Sequence, residues 1–437
     1  MAVLRSTTVE PAPAGAVPNR VARILVFAFL GTLFDGAELN LVGYPMAYIS
    51  ESLHVTTIQI VQVSTLQGFT SIAGGILCGW LGDMIGRRWT YTGSVLVFGV
   101  AAVLGGLAPT YGLFLLTRLL AGLGMGGLFG LSFSMFAECW QTRRRGAMGG
   151  SIQAMYFVGE IVTEGVVYFC AVRFGVHEGW RVGYVVIGAI TIVIGLLAAA
   201  LLPESRQWLR YREELKAGRV PEELRQTRVP LVALFRRGYA FGTVLFIVLA
   251  ASMFLTTNSM IAYLSTFLIK VEKVPLGTAS LIVLCGLIVT AVTYPLAGLL
   301  SDLIRRKWAF FAACLFGTIG FGWFLALVVS HHAHVTVHFW SEPTFWALLM
   351  CAGAGGGFGV LGVWMAEFFP TRTRSSGSNL SYYAGRGIGA GLFPLAALAL
   401  AGSVPLALAF GVVGPVVGAV FSLTAPDATG RRIHAVE

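Results

Sequence analysis

Six ionisable side chains stand inside stretches that are otherwise apolar: Asp35, Glu38, Arg118, Glu160, Glu164 and Arg386. A charge placed in hydrocarbon costs at least ~2.5–3.5 kcal/mol, so each marks a candidate site. Asp35 and Glu38 are three residues apart and are expected to share a helix face. Two carboxylates this close and out of water cannot both ionise cheaply, so one is expected to hold a proton. That is the chemistry of proton loading and release. The other reading is structural, a carboxylate satisfied by backbone amides at a helix break beside Gly36. Arg386 stays charged, and its planar fork suits a carboxylate. Gly385, Gly387, Gly389 and Gly391 flank it and let a helix or a ligand come close. Its alternative is a permanent ion pair, with Glu160 as the expected partner. Glu160 and Glu164 are four apart on one face, Glu164 nearer the outside. Arg118 has Asp35 or Glu38 as expected partners, or a purely structural role. There is no nucleophile elbow, no His–carboxylate pair within a span and no zinc spacing. The chain is therefore expected to be no enzyme and to need no cofactor or metal, the proton apart.

These groups need a membrane scaffold to position them. Hydrophobic residues make up 56% of the chain and charged residues 11%, with 55 glycines. A soluble domain carries roughly a quarter charged residues, which excludes that class. Apolar runs near the ~20 residues needed to cross hydrocarbon recur along the chain. They place twelve spans at 21–49, 58–80, 90–107, 112–137, 146–170, 182–202, 240–269, 278–299, 308–330, 344–366, 376–401 and 403–423. Lipid demands internal backbone pairing, so the spans are expected to be helices. Around their middles Asn40, Tyr44, Gln67, Thr256, Thr257, Asn258, Tyr382 and Tyr383 offer hydrogen bonds to a ligand, or join helices to one another. Of the 30 basic residues, Arg173, Arg181, Lys270 and Lys273 fall in outer loops and Arg118 and Arg386 inside spans. The rest lie on the side of the termini, so both termini are expected in the cytoplasm. The net charge of +10 then reflects topology, and nucleic acid is not an expected partner. Cys78, Cys139, Cys170, Cys285, Cys314 and Cys351 show no framework spacing and read as buried thiols. His331, His332, His334 and His338 in an outer loop have no acid beside them until Glu342 and make a poor metal site.

The chain repeats itself. Gly79-Trp80-Leu81-Gly82-Asp83-Met84-Ile85-Gly86-Arg87-Arg88 returns half a chain later as Gly298-Leu299-Leu300-Ser301-Asp302-Leu303-Ile304-Arg305-Arg306-Lys307. Glu138 to Arg145 returns as Glu367 to Arg374. By this repeat Phe157 matches Arg386. A membrane protein built twice from one half-unit can rock two bundles about a site between them. No phosphate-binding G-x-x-x-x-G-K-[ST] motif appears, against an ATP-driven pump. The loop motif resembles the G-x-L-x-D-x-x-G-R-[KR] signature of the major facilitator superfamily, with Arg305 where the second copy's glycine usually stands. Arg118-Leu119-Leu120-Ala121-Gly122-Leu123-Gly124-Met125-Gly126 is similar to its R-x-x-x-G-x-G-x-G motif. Pro203-Glu204-Ser205-Arg206-Gln207-Trp208-Leu209 looks like the motif ending span six in sugar porters and organic-ion relatives. Asp35-Gly36-Ala37-Glu38 resembles the D-G-x-D of proton-coupled aromatic-acid symporters. Phe369-Pro370-Thr371-Arg372 and Gly385-Arg386-Gly387-Ile388-Gly389-Ala390 look like the run in aromatic-acid, sialate/lactate and other metabolite:proton symporters.

The resemblance implies an all-α membrane protein with twelve transmembrane helices in two pseudo-symmetric six-helix bundles. The expected parts are a tail 1–20, bundles 21–202 and 240–423, an interdomain linker 203–239 and a tail 424–437. It implies a proton-coupled importer of a small organic anion in the cell inner membrane, monomeric and surrounded by lipid bilayer. In the expected mechanism Asp35, Glu38 and Arg118 handle the proton. Arg386 attracts the carboxylate, with Glu160, Asn40, Tyr44, Gln67, Asn258, Tyr382 and Tyr383 around it. Asp83, Arg87, Arg88, Glu138, Arg145, Asp302, Arg305, Arg306, Glu367 and Arg374 are expected to latch the cytoplasmic ends of the halves. A sugar or polyol porter, an efflux antiporter and a transporter-like sensor stand as alternatives.

Overall fold

In the computed structural model the described residues are 19–43, 45–140, 144–219, 234–235, 239–392, 397 and 399–426. Among them every regular element is helical. The first six membrane helices are α1 (Asn19–Asn40), α2 (Thr57–Ile85), α3 (Arg87–Gly106), α4 (Tyr111–Cys139), α5 (Arg145–Phe174) and α6 (Val176–Leu201). The second six are α7 (Ala240–Val271), α8 (Leu276–Ile304), α9 (Arg306–Val329), α10 (Pro343–Phe368), α11 (Arg374–Arg386) and α12 (Val404–Ser422). Beyond Arg386, α11 continues as a π-helical stretch, Gly387–Leu392.

Ten of these are long and apolar enough to cross a membrane by composition. The exceptions are α1 and α11, the helices that carry Asp35, Glu38 and Arg386. α1 carries Arg20, Arg23, Asp35 and Glu38, and the regular part of α11 is 13 residues long and rich in serine; packing against neighbours sets their place in the bundle. Several helices outrun the apolar stretches because single residues join them. Gly86 (φ 116°) links α2 to α3 and Gly175 (φ 81°) links α5 to α6. In the second half Arg305 takes the same left-handed turn (φ 78°) between α8 and α9, where a side chain is strained. The first span is shorter than its apolar run: α1 stops at Asn40, and Met46–Ser52 forms a separate short helix.

The packing repeats with the sequence. In the first half α1 lies on α5, α3 on α6, and α2 on α4; in the second α7 lies on α11, α9 on α12, and α8 on α10. The halves meet through α2 on α11 and α5 on α8, with α4 and α10 in the centre. Large apolar side chains such as Tyr168, Phe169, Val172, Ile319 and Leu303 stay exposed on the outer surface, as lipid-facing helices require. After α6 the chain turns into an amphipathic helix, Arg206–Lys216, capped by Ser205. It buries Trp208, whose indole donates to Asp83 O at 2.9 Å, and so rests against the end of α2. Most of the linker beyond it, and both tails outside residues 19–426, fall outside the described residues.

Candidate functional site

Backbone contact between α1 and α5 sets the central geometry. A methyl group at Gly36 would overlap the Tyr156 carbonyl, and one at Gly159 the Leu33 carbonyl. Thr163 adds a hydrogen bond to Ala37 O at 2.9 Å. The rotation this imposes turns Asp35 of α1, and Tyr156, Phe157 and Glu160 of α5, toward the second half. Phe157 meets Tyr294 of α8 with ring centroids 5.3 Å apart. Arg386 faces Asp35 and Tyr156 from α11, within electrostatic reach of both. Glu160 acts in the same way on Tyr156 and Tyr294.

All three charged groups are buried: Asp35 is 4% exposed, Glu160 7% and Arg386 8%. Asp35 Oδ1 and Glu160 Oε2 have no hydrogen-bond partner, and among the described residues no ion pair closes on Arg386. At 1.5 Å per residue the three lie about 18–24 Å from the ends of their helices nearest the termini. That is mid-membrane. The floor of the space is aromatic. Tyr382 stacks on Phe129 of α4, with centroids 3.6 Å apart and planes 10° from parallel. Phe254 and Phe358 close on Tyr382 edge-on at 4.9 and 6.1 Å.

The structure corrects several sequence expectations. Asp35 and Glu38 do not stand together as a pair: Arg118 closes on Glu38, while Asp35 has only the longer-range field of Arg386. Glu38 turns into the first bundle, where Arg118 Nη1 donates to it at 2.6 Å with both side chains buried. Arg118 also donates to Ala101 O at 2.9 Å and lies over the Tyr184 ring. Positions three apart diverge by about 60° around a helix, enough to give separate surroundings. Glu160 is not the partner of Arg386; the acid facing that guanidinium is Asp35. Tyr383 is no free ligand, since its hydroxyl donates to Met125 O at 2.7 Å, where α4 breaks. Gln67 is buried with its amide against Met125 Sδ at 3.3 Å. Asn40 and Asn258 donate to Gly36 O and Phe254 O of their own helices. Thr256 and Thr257 do likewise. Glu164 is exposed, and Tyr44 lies outside the described residues.

At the face where the described chain begins and ends, the halves are latched twice in the same way. Glu138, at the end of α4, accepts from Arg374 of the other half at 2.6 Å and from Arg87 of its own at 3.2 Å. Glu367, at the end of α10, accepts from Arg145 of the other half at 3.0 Å and from both donor arms of Arg306 at 3.0 Å. Asp83 takes the backbone N–H groups of Ser375 and Ser376 at 3.2 and 2.8 Å. Asp302 takes those of Gly146 and Ala147 at 2.7 and 2.9 Å. Each aspartate thus meets the positive N-terminal end of a helix in the opposite half. Arg87 adds a bond to Thr371 O at 2.6 Å. Arg88 stands apart from this lattice: it donates to Ala199 O and lies over Trp89, bracing the first half. Arg305 supplies the left-handed joint before α9.

The profile of the Major Facilitator Superfamily matches residues 28–333 of the chain. The chain belongs to the Major Facilitator Superfamily. It is 27% identical over 398 residues to the cis,cis-muconate transport protein of Acinetobacter baylyi, covering 89% of this chain and 90% of that protein. It is 24% identical over 379 residues to a probable 4-methylmuconolactone transporter of Cupriavidus pinatubonensis, covering 83% and 80%. The solved proton:xylose symporter XylE, bound to 6-bromo-6-deoxy-D-glucose, superposes with a TM-score of 0.75 at 17% identity, over 95% of this chain and 98% of that one. At that identity the likeness shows the fold.

In this superfamily member sequence reasoning missed four contributors. Glu204 was visible only as part of a motif. In the structure it accepts from the backbone N–H groups of Arg87 at 3.0 Å and Arg88 at 3.2 Å, fastening α3 to the end of α6. Asn379 accepts from Gly130 N at 2.7 Å across the halves. Nothing in the sequence singles out Tyr156 or Phe129. Only their position across from Arg386 and Tyr382 singles them out, and no spacing rule would have found it.

Proposed function

We propose that the protein is a secondary transporter that imports a small organic acid together with protons by alternating access. The observation that carries this reading is a buried, unpaired guanidinium facing a buried, unpaired carboxylate between the halves. In the empty site Arg386 and Asp35 offset one another's charge across the gap. A substrate carboxylate that takes Arg386 leaves Asp35 uncompensated, so Asp35 binds a proton. Anion and proton therefore load together. The aromatic floor suits a flat, conjugated acid, and the relative named for muconate, itself a carboxylate, supports the class.

The contacts that join the halves run from the terminal face to mid-membrane, the arrangement of a carrier shut on that side. Since that side also holds most basic residues, we place it in the cytoplasm and the protein in the inner membrane, as a monomer. The test is uptake into proteoliposomes of aromatic, conjugated and short-chain acids alongside neutral sugars, with and without an inward proton gradient. Gradient-driven accumulation of an acid, abolished by Arg386→Met and cut at least about tenfold by Arg386→Lys, is the expected result. Entry of a neutral solute while acids stay out would overturn it and point to a sugar or polyol porter.

A further inference from the structure

We infer that Glu160 recognises a second, proton-donating group on the substrate, so that the transported acid carries a hydroxyl or a carboxylic acid proton away from its bound carboxylate. This rests on the carboxylate reading above and adds the other end of the ligand. The other buried acids among the described residues are accounted for. Glu38 has Arg118, Glu138 and Glu367 have two arginines each, and Asp83 has a helix N-terminus together with Arg87. Among the described residues only Asp35 and Glu160 are buried acids with no ion pair, and of the two only Asp35 has a guanidinium, Arg386, acting on it. Arg386 faces Asp35, and among the described residues nothing donates to Glu160 Oε2.

Its placement is fixed. Gly159 holds α5 against Leu33 of α1, and Phe157, one turn earlier, lies against Tyr294. Glu160 therefore sits on the same stripe, which faces Tyr294 of the second half. It is 7% exposed with Oε2 unpartnered. A buried acceptor left unmet is costly, so a ligand that supplies a donor gains affinity and one that lacks it is rejected. Glu160 stands on α5 of the first half and Arg386 on α11 of the second, with Tyr156 within electrostatic reach of both. A ligand spanning them has one end that accepts and one end that donates.

Isothermal titration of the purified protein with benzoate, 3- and 4-hydroxybenzoate and their methoxy counterparts tests this. Methoxy groups keep the oxygen and remove the donor; the methyl they add is still felt in Glu160→Met, whose side chain is close to glutamate in size, so only the donor's effect is lost there. In the wild type at least one hydroxy acid should bind about tenfold or more tighter than its methoxy partner. Glu160→Met should bring that ratio to within about twofold, and Glu160→Gln, which keeps shape and one neutral acceptor, should leave an intermediate ratio. If the Met variant does not fold, the Gln variant decides, and an unchanged ratio there refutes the inference. A wild-type ratio near one with every acid bound also refutes it, and leaves the carboxylate reading standing. If no acid binds, the carboxylate reading itself fails and this inference falls with it.

Discussion

Glu138→Gln should open the terminal face without touching the ligand site. Glu138 holds Arg374 across the halves at 2.6 Å and Arg87 within its own half at 3.2 Å. The Arg87 contact lies within one rigid half and survives rocking, so it does not bias the equilibrium. The Arg374 contact exists only when the face is closed. A hydrogen bond to a charged group is worth about 1.5–3 kcal/mol. Because 1.36 kcal/mol is a factor of ten, its loss should shift the closed-to-open ratio by roughly 10- to 150-fold. Two exposed positions report the motion, Ile85 at the end of α2 and Leu303 at the end of α8. Spin labels there, measured by pulsed electron resonance, should show a longer-distance population grow in the variant. Glu367→Gln, the matching change in the second half, should act in the same direction. If both variants keep the wild-type distance distribution while losing thermal stability, the contacts are only structural and the latch reasoning is wrong.

Two further outcomes separate the remaining roles. Asp35→Asn should lose gradient-driven accumulation while downhill exchange continues, whereas Glu38→Gln should weaken its buried pair with Arg118. Breaking such a pair costs about 3–5 kcal/mol, so the second variant should melt well below the first in detergent; equal melting with both driving forces intact would contradict the division. Arg305→Gly should raise thermal stability by roughly 1 kcal/mol, since a side chain in that left-handed turn stores strain that glycine relieves; a lower melting temperature would show that the arginine side chain outweighs it.

Much of the fold was readable because lipid leaves few choices. Runs of apolar residues had to be helices, and the repeated loop motif announced two like halves. The contacts that join the halves at the terminal face were also readable, since Asp83 and Asp302, and Glu138 and Glu367, stand in matching copies of repeated motifs. What sequence could not supply was direction. Spacing placed Asp35 and Glu38 on one face, yet the contact of Gly36 with Tyr156 turns one toward Arg386 and leaves the other to Arg118. Tyr382 and Tyr383 are neighbours in sequence, but one stacks on Phe129 and the other is spent on Met125 O. Such outcomes depend on helix rotation, which a few backbone contacts decide.

The gate is symmetric and the site is not, for a physical reason. A latch between two like halves has the same task on either side, so both copies of the motif retain it. A ligand with unlike ends needs unlike walls, and the repeat yields there: Phe157 stands where the second half has Arg386. The two functions are joined by α11. Its first turn receives Asp83 through Ser375 and Ser376, and Asn379 and Tyr383 bind the backbone of α4. Arg386 ends its regular turns, immediately before the π-helical stretch Gly387–Leu392, an irregularity common at functional sites. In the proposed mechanism, a ligand that takes Arg386 and a proton that takes Asp35 exchange the attraction between the two residues for contacts to the ligand. That change acts directly on the helix whose other end holds the gate. Loading and latch release need no longer path than the thirteen residues of Arg374–Arg386.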